Sequence, residues 1–554
     1  MLQLKSITLK NYRSIEDLKI EFELHQKNNI LSFIGQNNSG KSNILKAIHL
    51  LFLKNIPYIE ALEEEDFYNH ELNRTITFEA MFWEPIIHKP YSTSRIDVKI
   101  YGIRRERKIA EKGRIKGQLI WIHSCLNQSG DVAMRPSQKP KKGQVAPMEK
   151  MYEIPDEVWE QIGIIFLPTD RDLEKHLPNR KTGYLHRIIQ QIDKSFHDTQ
   201  KSIAIEGTPK NLSEHFKEDI KHVIEHLRIN EFNSMEENLK DIVKKFFERE
   251  LNIKFNDITS MACFEAMSLD FLENELIISQ ERIGDGARFI LLMAIVFCYF
   301  RSMSQNAIFI IEEPEHLLHP HRQRVLWNFL CELSKTNYVF ISTHSPEFVD
   351  LANWKNICRV YKDQCTHISK ITGNYEDALI KHLRRCLDQS MKYAFFASVV
   401  ILVEGESDHK AFPNYADRLK KNLDSRNITI VYGAGKNNLK ILAPMFRSLE
   451  IPVVLCYDKD RNDDAKNSEI KNLFPGDSFY SWEELDQDYE DEVRKATGMD
   501  ETTWKEFYNK CGSRKIDRAV NLSQNNDIPI PKKYEEAICK AWEYAEPKSF
   551  RGEF

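Results

Sequence analysis

The sequence predicts an α/β protein in which two nucleotide- or ion-scale sites sit at the ends of buried strands, in two successive domains. Three observations carry that prediction. An apolar run, Ile30-Leu31-Ser32-Phe33-Ile34, leads through a glycine turn into the helical spacing of Asn43-Ile44-Leu45-Lys46-Ala47-Ile48. A second apolar run, Ala307-Ile308-Phe309-Ile310-Ile311, ends in the paired carboxylates Glu312 and Glu313. A third group, Ala397 to Val403 and Ile451 to Tyr457, ends in Glu404 and in Asp458-Lys459-Asp460. With 554 residues the chain exceeds what one core can hold.

Composition narrows the class. Apolar residues at 42% and aromatic residues at 11% describe a globular protein, and a net charge of −5 excludes a uniformly basic coat. Any nucleic-acid contact must therefore rest on local patches. Ten cysteines without a Cys-x-x-Cys pair argue against a zinc ribbon and against a disulfide framework. The longest apolar stretch, Phe289 to Phe300, is interrupted and too short to span a bilayer, so a cytoplasmic protein without membrane contact is expected.

Taken in order, Leu2 to Leu9 and Leu18 to Phe22 alternate as strands, with Asn11-Tyr12-Arg13-Ser14-Ile15 between them. Residues 75–82 and 95–100 alternate again. The basic stretch Arg104, Arg105, Arg107, Lys108, Lys112, Arg114 and Lys116 then reads either as a phosphate grip or as a solvated hairpin edge. Residues 126–150 read as a loop, and Ile162 to Leu167 as a buried strand. Helical spacing from Leu173 to Leu251, with Leu185, Ile188, Ile189 and Ile192, predicts a compact insertion for dimerisation or regulation. The expected boundaries are 1–172, 173–255, 256–390 and 391–554.

The glycine turn is Gly35-Gln36-Asn37-Asn38-Ser39-Gly40-Lys41-Ser42, the Gly-x-x-x-x-Gly-Lys-Ser pattern of a phosphate-binding loop in its strand-to-helix setting. The glycines let backbone N–H groups turn toward phosphates at a helix N-terminus. Lys41 would reach the β- and γ-phosphates of ATP, and the Ser42 hydroxyl would hold Mg²⁺. Downstream, Gly284-Asp285-Gly286 opens an apolar helix. Glu312 is placed to hold Mg²⁺ and Glu313 to orient water, and Val339 to Thr343 delivers His344.

These four motifs, in this order, resemble the ATP-binding-cassette ATPases of the branch that includes SMC-like and overcoming-lysogenization-defect (OLD) proteins. The resemblance implies a Walker A loop at Gly35 to Ser42, a signature loop at Gly284 to Gly286, a Walker B pair at Glu312 and Glu313, and a switch histidine at His344. It further implies that one protomer's signature loop completes another's nucleotide site, hence a homodimer or higher oligomer. Glu312 stands where the wider superfamily has Asp, and the signature loop lacks a Ser-Gly-Gly core. Both departures point to slow or regulatory hydrolysis.

The second site gathers carboxylates at strand ends, where open α/β sheets place their chemistry. Clustered Asp and Glu repel unless cations neutralise them, so Mg²⁺ or Mn²⁺ is implied by hard-oxygen ligand chemistry. Strand–Glu-Gly followed by strand–Asp-x-Asp resembles the Toprim domain. Glu404, Asp458 and Asp460 match its motif, and Asp408 matches a further carboxylate of the nuclease branch. Nucleases of this kind resemble one another in a lysine C-terminal to Asp-x-Asp; Lys515 is the choice, with Lys510 and Arg514 as alternatives. The stretch Trp482-Glu483-Glu484-Leu485-Asp486 reads as a further ligand source or as exposed surface.

An ABC-type P-loop ATPase domain with a helical insertion, followed by a Toprim α/β domain, is the OLD-family architecture. The resemblance implies an ATP-regulated, metal-dependent endonuclease acting on DNA, with a role in anti-phage defence beside a partner protein or a retron RNA/DNA. Two alternatives stay open: an ATP-driven sensing module, and an SMC-like repair factor, against which the missing long coiled coil weighs.

Overall fold

The computed structural model of the chain describes residues 2–24, 28–54, 62–90, 97–112, 115–137, 146–169, 233–247, 250–255, 267–273, 276–279, 282–302, 307–316, 318–373, 375, 389–459 and 464–546. The helical reading around Leu185 to Ile192 lies outside the described residues, as does Asp460. The chain forms two compact units. The first comprises Met1–Arg13, Lys19–Ile30 and Leu45–Ile341, and the second Ser14–Leu18, Leu31–Ile44 and Ser342–Phe554.

In the first unit, alternating apolar residues make a meandering antiparallel layer. Leu4–Tyr12 pairs with Ile76–His88, which pairs with Val98–Ile109, which pairs with Leu119–Leu126. Leu4, Ile7, Leu9 and Tyr12 of the first strand are buried, strict alternation being broken by a register shift between Leu4 and Ser6, and Tyr12 meets Phe78 edge to face. The basic stretch begins on this sheet and is largely spoken for. Arg104 pairs with Glu79, Arg107 donates to the carbonyls of Leu62 and Leu119, and Arg105 is buried against Trp159 with its guanidinium on the Leu53 carbonyl. These arginines bind their own fold, which is why strand alternation continues to Ile109 through so many charges. The expected loop at 126–150 contains a short ladder, Met134–Pro136 against Met148–Lys150. Elsewhere in the unit, Ala307–Glu312 pairs in parallel with Gly163–Leu167, register Ala307 to Gly163. Three antiparallel strands, Glu250–Phe255, Met267–Glu273 and Leu276–Ser279, precede the helix Asp285–Ser302.

The second unit joins the glycine-loop strand to a parallel sheet. Ile30–Ile34 pairs in parallel with Ile357–Lys362, with Ile34 opposite Arg359, and Ile357–Lys362 turns back into Thr366–Lys370. Further along the chain, four parallel strands lie in the order Ile428–Tyr432, Val399–Val403, Val453–Asp458, Tyr480–Leu485. The two central strands, Val399–Val403 and Val453–Asp458, are apolar runs buried almost throughout, as crossover connections on both faces require, while the outer two are partly exposed. Val400 and Leu402 face one core with Leu439 and Phe446; Val399 and Ile401 face another with Phe412 and Tyr534. Ile34 and Ile357 belong to the first of these cores, so the end of the glycine-loop strand is packed with the parallel sheet.

Arg359 fastens the same joint with hydrogen bonds. It is 8% exposed, and burial lowers its pKa to about 10, so it keeps its charge at neutral pH. Its guanidinium donates to the carbonyls of Leu449 (3.0 Å), Glu450 (3.1 Å) and Ala397 (3.3 Å). Arg359→Ala would leave three carbonyls short of a donor. A loss of about 3 kcal/mol is expected in chemical denaturation, and an unchanged midpoint would show that the staple carries no stability.

Candidate active site

The nucleotide loop is shaped by what lies behind it. Gly35 has φ +149° and a Cβ there would stand 2.2 Å from the Val360 carbonyl oxygen. Only glycine fits such an approach. The Thr366 hydroxyl donates to the Ser39 carbonyl (3.1 Å) and is hydrogen-bonded to the Ser14 hydroxyl (2.8 Å), and the Asn43 amide donates to Ser14 Oγ (2.8 Å). Lys41 is buried, and its ammonium donates to the carbonyls of Gly35 (3.1 Å) and Gln36 (2.7 Å) at the mouth of the loop. Asn37, Asn38 and Ser42 are exposed, Ser39 buried and Gly40 half-buried. His344 follows the buried strand Tyr338–Thr343 and is half-buried. Gln36, which sequence reasoning passed over, donates to Ser398 Oγ at 2.6 Å.

The remaining ATPase residues lie in the first unit. Glu312 closes the buried strand Ala307–Glu312, and its Oε2 accepts the Thr169 N–H at 3.3 Å. Glu313 has φ +43°, a left-handed conformation costly for a side chain of its size. That strain turns the chain sharply after Glu312, at the point where the sequence places its second carboxylate. Gly284 and Gly286 flank Asp285, the first residue of the helix Asp285–Ser302, and Gly284 is exposed.

The acidic site stands at the C-terminal ends of two adjacent strands. Val403 is in register with Cys456, which brings Glu404 beside Asp458, and Glu404 Oε2 accepts the Asp458 N–H at 3.1 Å. Asp408 lies in the first turn of the helix Glu406–Arg418, is 3% exposed, and accepts a hydrogen bond from the Tyr534 hydroxyl. A Cβ on Gly405 would stand 2.5 Å from Asp408 Oδ2, so the glycine makes room for that carboxylate.

Burial, reinforced by Asp408, Glu404 and Asp488 and opposed by Lys515, pushes the Asp458 carboxyl up to about 8. Burial likewise pushes Asp408 up to about 6, against the Tyr534 hydrogen bond that lowers it. Asp458 Oδ1 is buried with no hydrogen-bond partner among the described residues. A crowded, all-oxygen donor set with an unmatched carboxylate oxygen fits a divalent cation.

Lys515 opens the helix Lys515–Gln524, with Nζ 3.1 Å from Glu490 Oε2. Burial lowers its pKa, but Glu490, Asp488 and Asp458 outweigh that and hold it raised. Arg514 and Lys510, the alternatives in the sequence, are exposed. The stretch Trp482 to Asp486 is committed elsewhere: Glu484 pairs with Lys471, and Asp486 with Lys495 and Lys533. Asp488 and Glu490, just beyond it, act on the site instead. The signal for them was the acidic density of Asp486-Gln487-Asp488-Tyr489-Glu490 immediately past a strand end, one strand further along the sheet.

The fold and these sites define an ATPase domain joined to a Toprim domain. Residues 2–349 match the AAA ATPase domain, and residues 395–460 match the TOPRIM domain of overcoming lysogenization defect protein-like chains. The first match spans more than half of the chain, which therefore belongs to that ATPase domain family and carries an OLD-like TOPRIM domain after it. It is 24% identical over 478 residues to the OLD nuclease of Thermus scotoductus, covering 82% of each chain. It is 22% identical to the endonuclease GajA of Bacillus cereus, covering 76% of this chain and 68% of that one. It is 23% identical to the Old nuclease of Escherichia phage P2, covering 85% of this chain and 79% of that one.

Two predictions follow from the acidic geometry. Gly405→Ala should displace the Asp408 carboxylate and weaken divalent-ion binding by about tenfold or more, read by calorimetry, while circular dichroism stays unchanged; wild-type affinity would contradict the role of that space. In protein stripped of divalent ions, Asp458 binds its proton more tightly folded, at about 8, than unfolded, at about 4. The native state thus holds more protons in that window, and stability falls as pH rises through it. Asp458→Asn should flatten the slope of melting temperature against pH, and equal slopes would sink the assignment.

Proposed function

We propose that this chain is an endonuclease that hydrolyses DNA phosphodiesters in the presence of Mg²⁺ or Mn²⁺, under the control of ATP. The observation that carries the reading is the buried Asp458 oxygen, without a hydrogen-bond partner among the described residues, in a carboxyl that feels the charges of Asp408, Glu404 and Lys515. An ATPase-linked nuclease is what the two domains and the named relatives support.

Glu404, Asp408 and Asp458 would hold the divalent ion, with Asp460 joining them by resemblance to the Toprim pattern. A bound ion of this kind lowers the pKa of water and stabilises the departing oxygen of a phosphodiester. The chain's own residues prepare that chemistry. Tyr534 fixes the orientation of Asp408 through its hydroxyl. Glu490 draws Lys515 toward the carboxylates, where its ammonium offsets charge on the scissile phosphate. The backbone N–H of Asp458 orients the Glu404 carboxylate.

At the nucleotide loop, Lys41 would exchange the Gly35 and Gln36 carbonyls for the β- and γ-phosphates of ATP, and Ser42 would hold Mg²⁺. By resemblance to the Walker B and switch motifs, Glu312 would serve as a Mg²⁺ ligand, and Glu313 and His344 as the groups that orient water. Gly284, Asp285 and Gly286 complete the site of a second protomer, making a homodimer or larger oligomer the working form. The resemblance to OLD proteins supports a role in anti-phage defence, beside a partner protein or a retron. Movement of Gln36 on nucleotide binding reaches Ser398, at the foot of the strand that carries Glu404, which makes the loop a control element.

Glu404→Ala and Asp458→Ala should each lower cleavage of plasmid DNA by on the order of a thousandfold while leaving ATP affinity intact. Undiminished cleavage in either would remove the acidic site from the mechanism. Lys515→Ala should lower cleavage on the order of a hundredfold, with Lys515→Arg recovering part of it. Lys41→Ala should weaken nucleotide binding, measured with a fluorescent ATP analogue.

A further inference from the structure

A second cluster of potential ligands lies on the hairpin made by Ile357–Lys362 and Thr366–Lys370, which packs behind the nucleotide loop. The connecting residues are Asp363, Gln364 and Cys365. Strand alternation sends Thr366 to one face, where its hydroxyl meets the nucleotide loop at the Ser39 carbonyl. Its neighbours Cys365 and His367 therefore share the opposite face, together with Asp363. Cys365 Sγ lies 3.2 Å from His367 Nε2, and Asp363 Oδ1 lies 3.0 Å from the same nitrogen. All three ligand atoms fall within 4.8 Å of one another.

Hydrogen bonding alone accounts poorly for this convergence. A catalytic relay would place the thiol and the carboxylate on opposite ring nitrogens, whereas here both approach Nε2. That nitrogen carries at most one hydrogen, and a carboxylate has none to give, so a proton shared with Asp363 leaves Nε2 no lone pair for the thiol. A cation at the point of convergence gives the thiolate, the imidazole and the carboxylate one shared partner, with the Gln364 and Cys365 N–H groups holding Asp363 Oδ1 in place. The spacing is close to that of a tetrahedral zinc ion, whose bonds of roughly 2.3 Å to sulfur and 2.0 Å to nitrogen or oxygen set ligands about 3.3–3.6 Å apart.

The ligands are also held in place. The Cys365 N–H donates to Asp363 Oδ1 at 3.2 Å, which pins the carboxylate across the turn, and the His367 ring stacks on Tyr361 with centroids 5.3 Å apart. The Asp363 side chain is 42% exposed and that of His367 38%, so an ion has a path from solvent.

We propose that Asp363, Cys365 and His367 form a binding site for a thiophilic divalent ion of the zinc class, with water as the fourth ligand. The thiolate and imidazole set this site apart from the carboxylates at Glu404 and Asp458, which select harder ions. An ion here would tie down the hairpin whose Thr366 hydroxyl braces Ser39 and Ser14, so occupancy would stiffen the nucleotide loop from behind.

Cobalt(II) tests this directly, because only a thiolate ligand gives a sulfur-to-cobalt charge-transfer band in the near ultraviolet. The full-length chain, stripped with chelator, should develop that band with tetrahedral visible absorption, saturating at one cobalt per chain. Zinc should displace it and excess magnesium should not. Cys365→Ser should abolish the band, and His367→Ala and Asp363→Ala should each weaken cobalt binding by about tenfold or more. Asp458→Ala should leave the spectrum intact, which separates this site from the nuclease reading. Absence of the band, or its persistence in Cys365→Ser protein with native circular dichroism, would overturn the proposal.

Discussion

Repulsion among Glu404, Asp408 and Asp458 is the constraint around which the second unit is arranged. Three carboxylates cannot be crowded at one sheet edge without a reason for the chain to hold them there. The parallel register of Val399–Val403 with Val453–Asp458 forces Glu404 and Asp458 together. Gly405 removes the one side chain that would keep Asp408 out, and Tyr534 reaches across from the helix Lys532–Tyr544 to hold it. What the protein leaves unsatisfied is an Asp458 oxygen, and what it supplies is the Lys515 charge on the far side. An arrangement that raises two carboxyl pKa values so far is costly to stability, and such costs are retained where they serve chemistry.

The strand-end positions of these groups were legible because they are local. A buried run followed at once by a carboxylate specifies both the element and the end at which its last side chain emerges, and no long-range information is needed. The same holds for Gly35 to Ser42 and for Glu312 with Glu313. Contacts between distant segments were not legible. Nothing near Thr366 announces that it braces Ser39 and Ser14, and nothing near Tyr534 points to Asp408. Charge runs misled for a related reason. Arg104, Arg105 and Arg107 read as surface from their neighbours in sequence, yet they meet Glu79, Leu53 and Leu62, which only the folded sheet brings near. The acidic stretch before Asp488 reads as one cluster, but Lys471, Lys495 and Lys533 sort it into structural and site-facing halves.

The same second unit explains how one site can sense the other. Glycine loop, hairpin and parallel sheet share a single core through Ile34, Ile357, Val400 and Leu402, so the loop is not a hinged appendage to the acidic site. Close-packed interiors transmit displacement rather than absorbing it. Arg359 adds a polar fastening at Ala397, two residues before the strand that ends at Glu404, and Gln36 adds another at Ser398. Two independent contacts thus meet the foot of one strand, and that strand's other end holds Glu404.

This geometry favours control by small shifts over control by large rearrangement. The Lys41 ammonium rests on the carbonyls of Gly35 and Gln36, and a phosphate that draws it away releases the very residue whose side chain binds Ser398. A shift along Val399–Val403 would change how the Glu404 carboxylate meets the Asp458 N–H, and ligand geometry at a metal site of the proposed kind tolerates little error. On the proposed reading, nucleotide binding would act on cleavage by biasing that contact. The path from the phosphate loop to the acidic site would then run through the five buried residues of one strand, Val399–Val403.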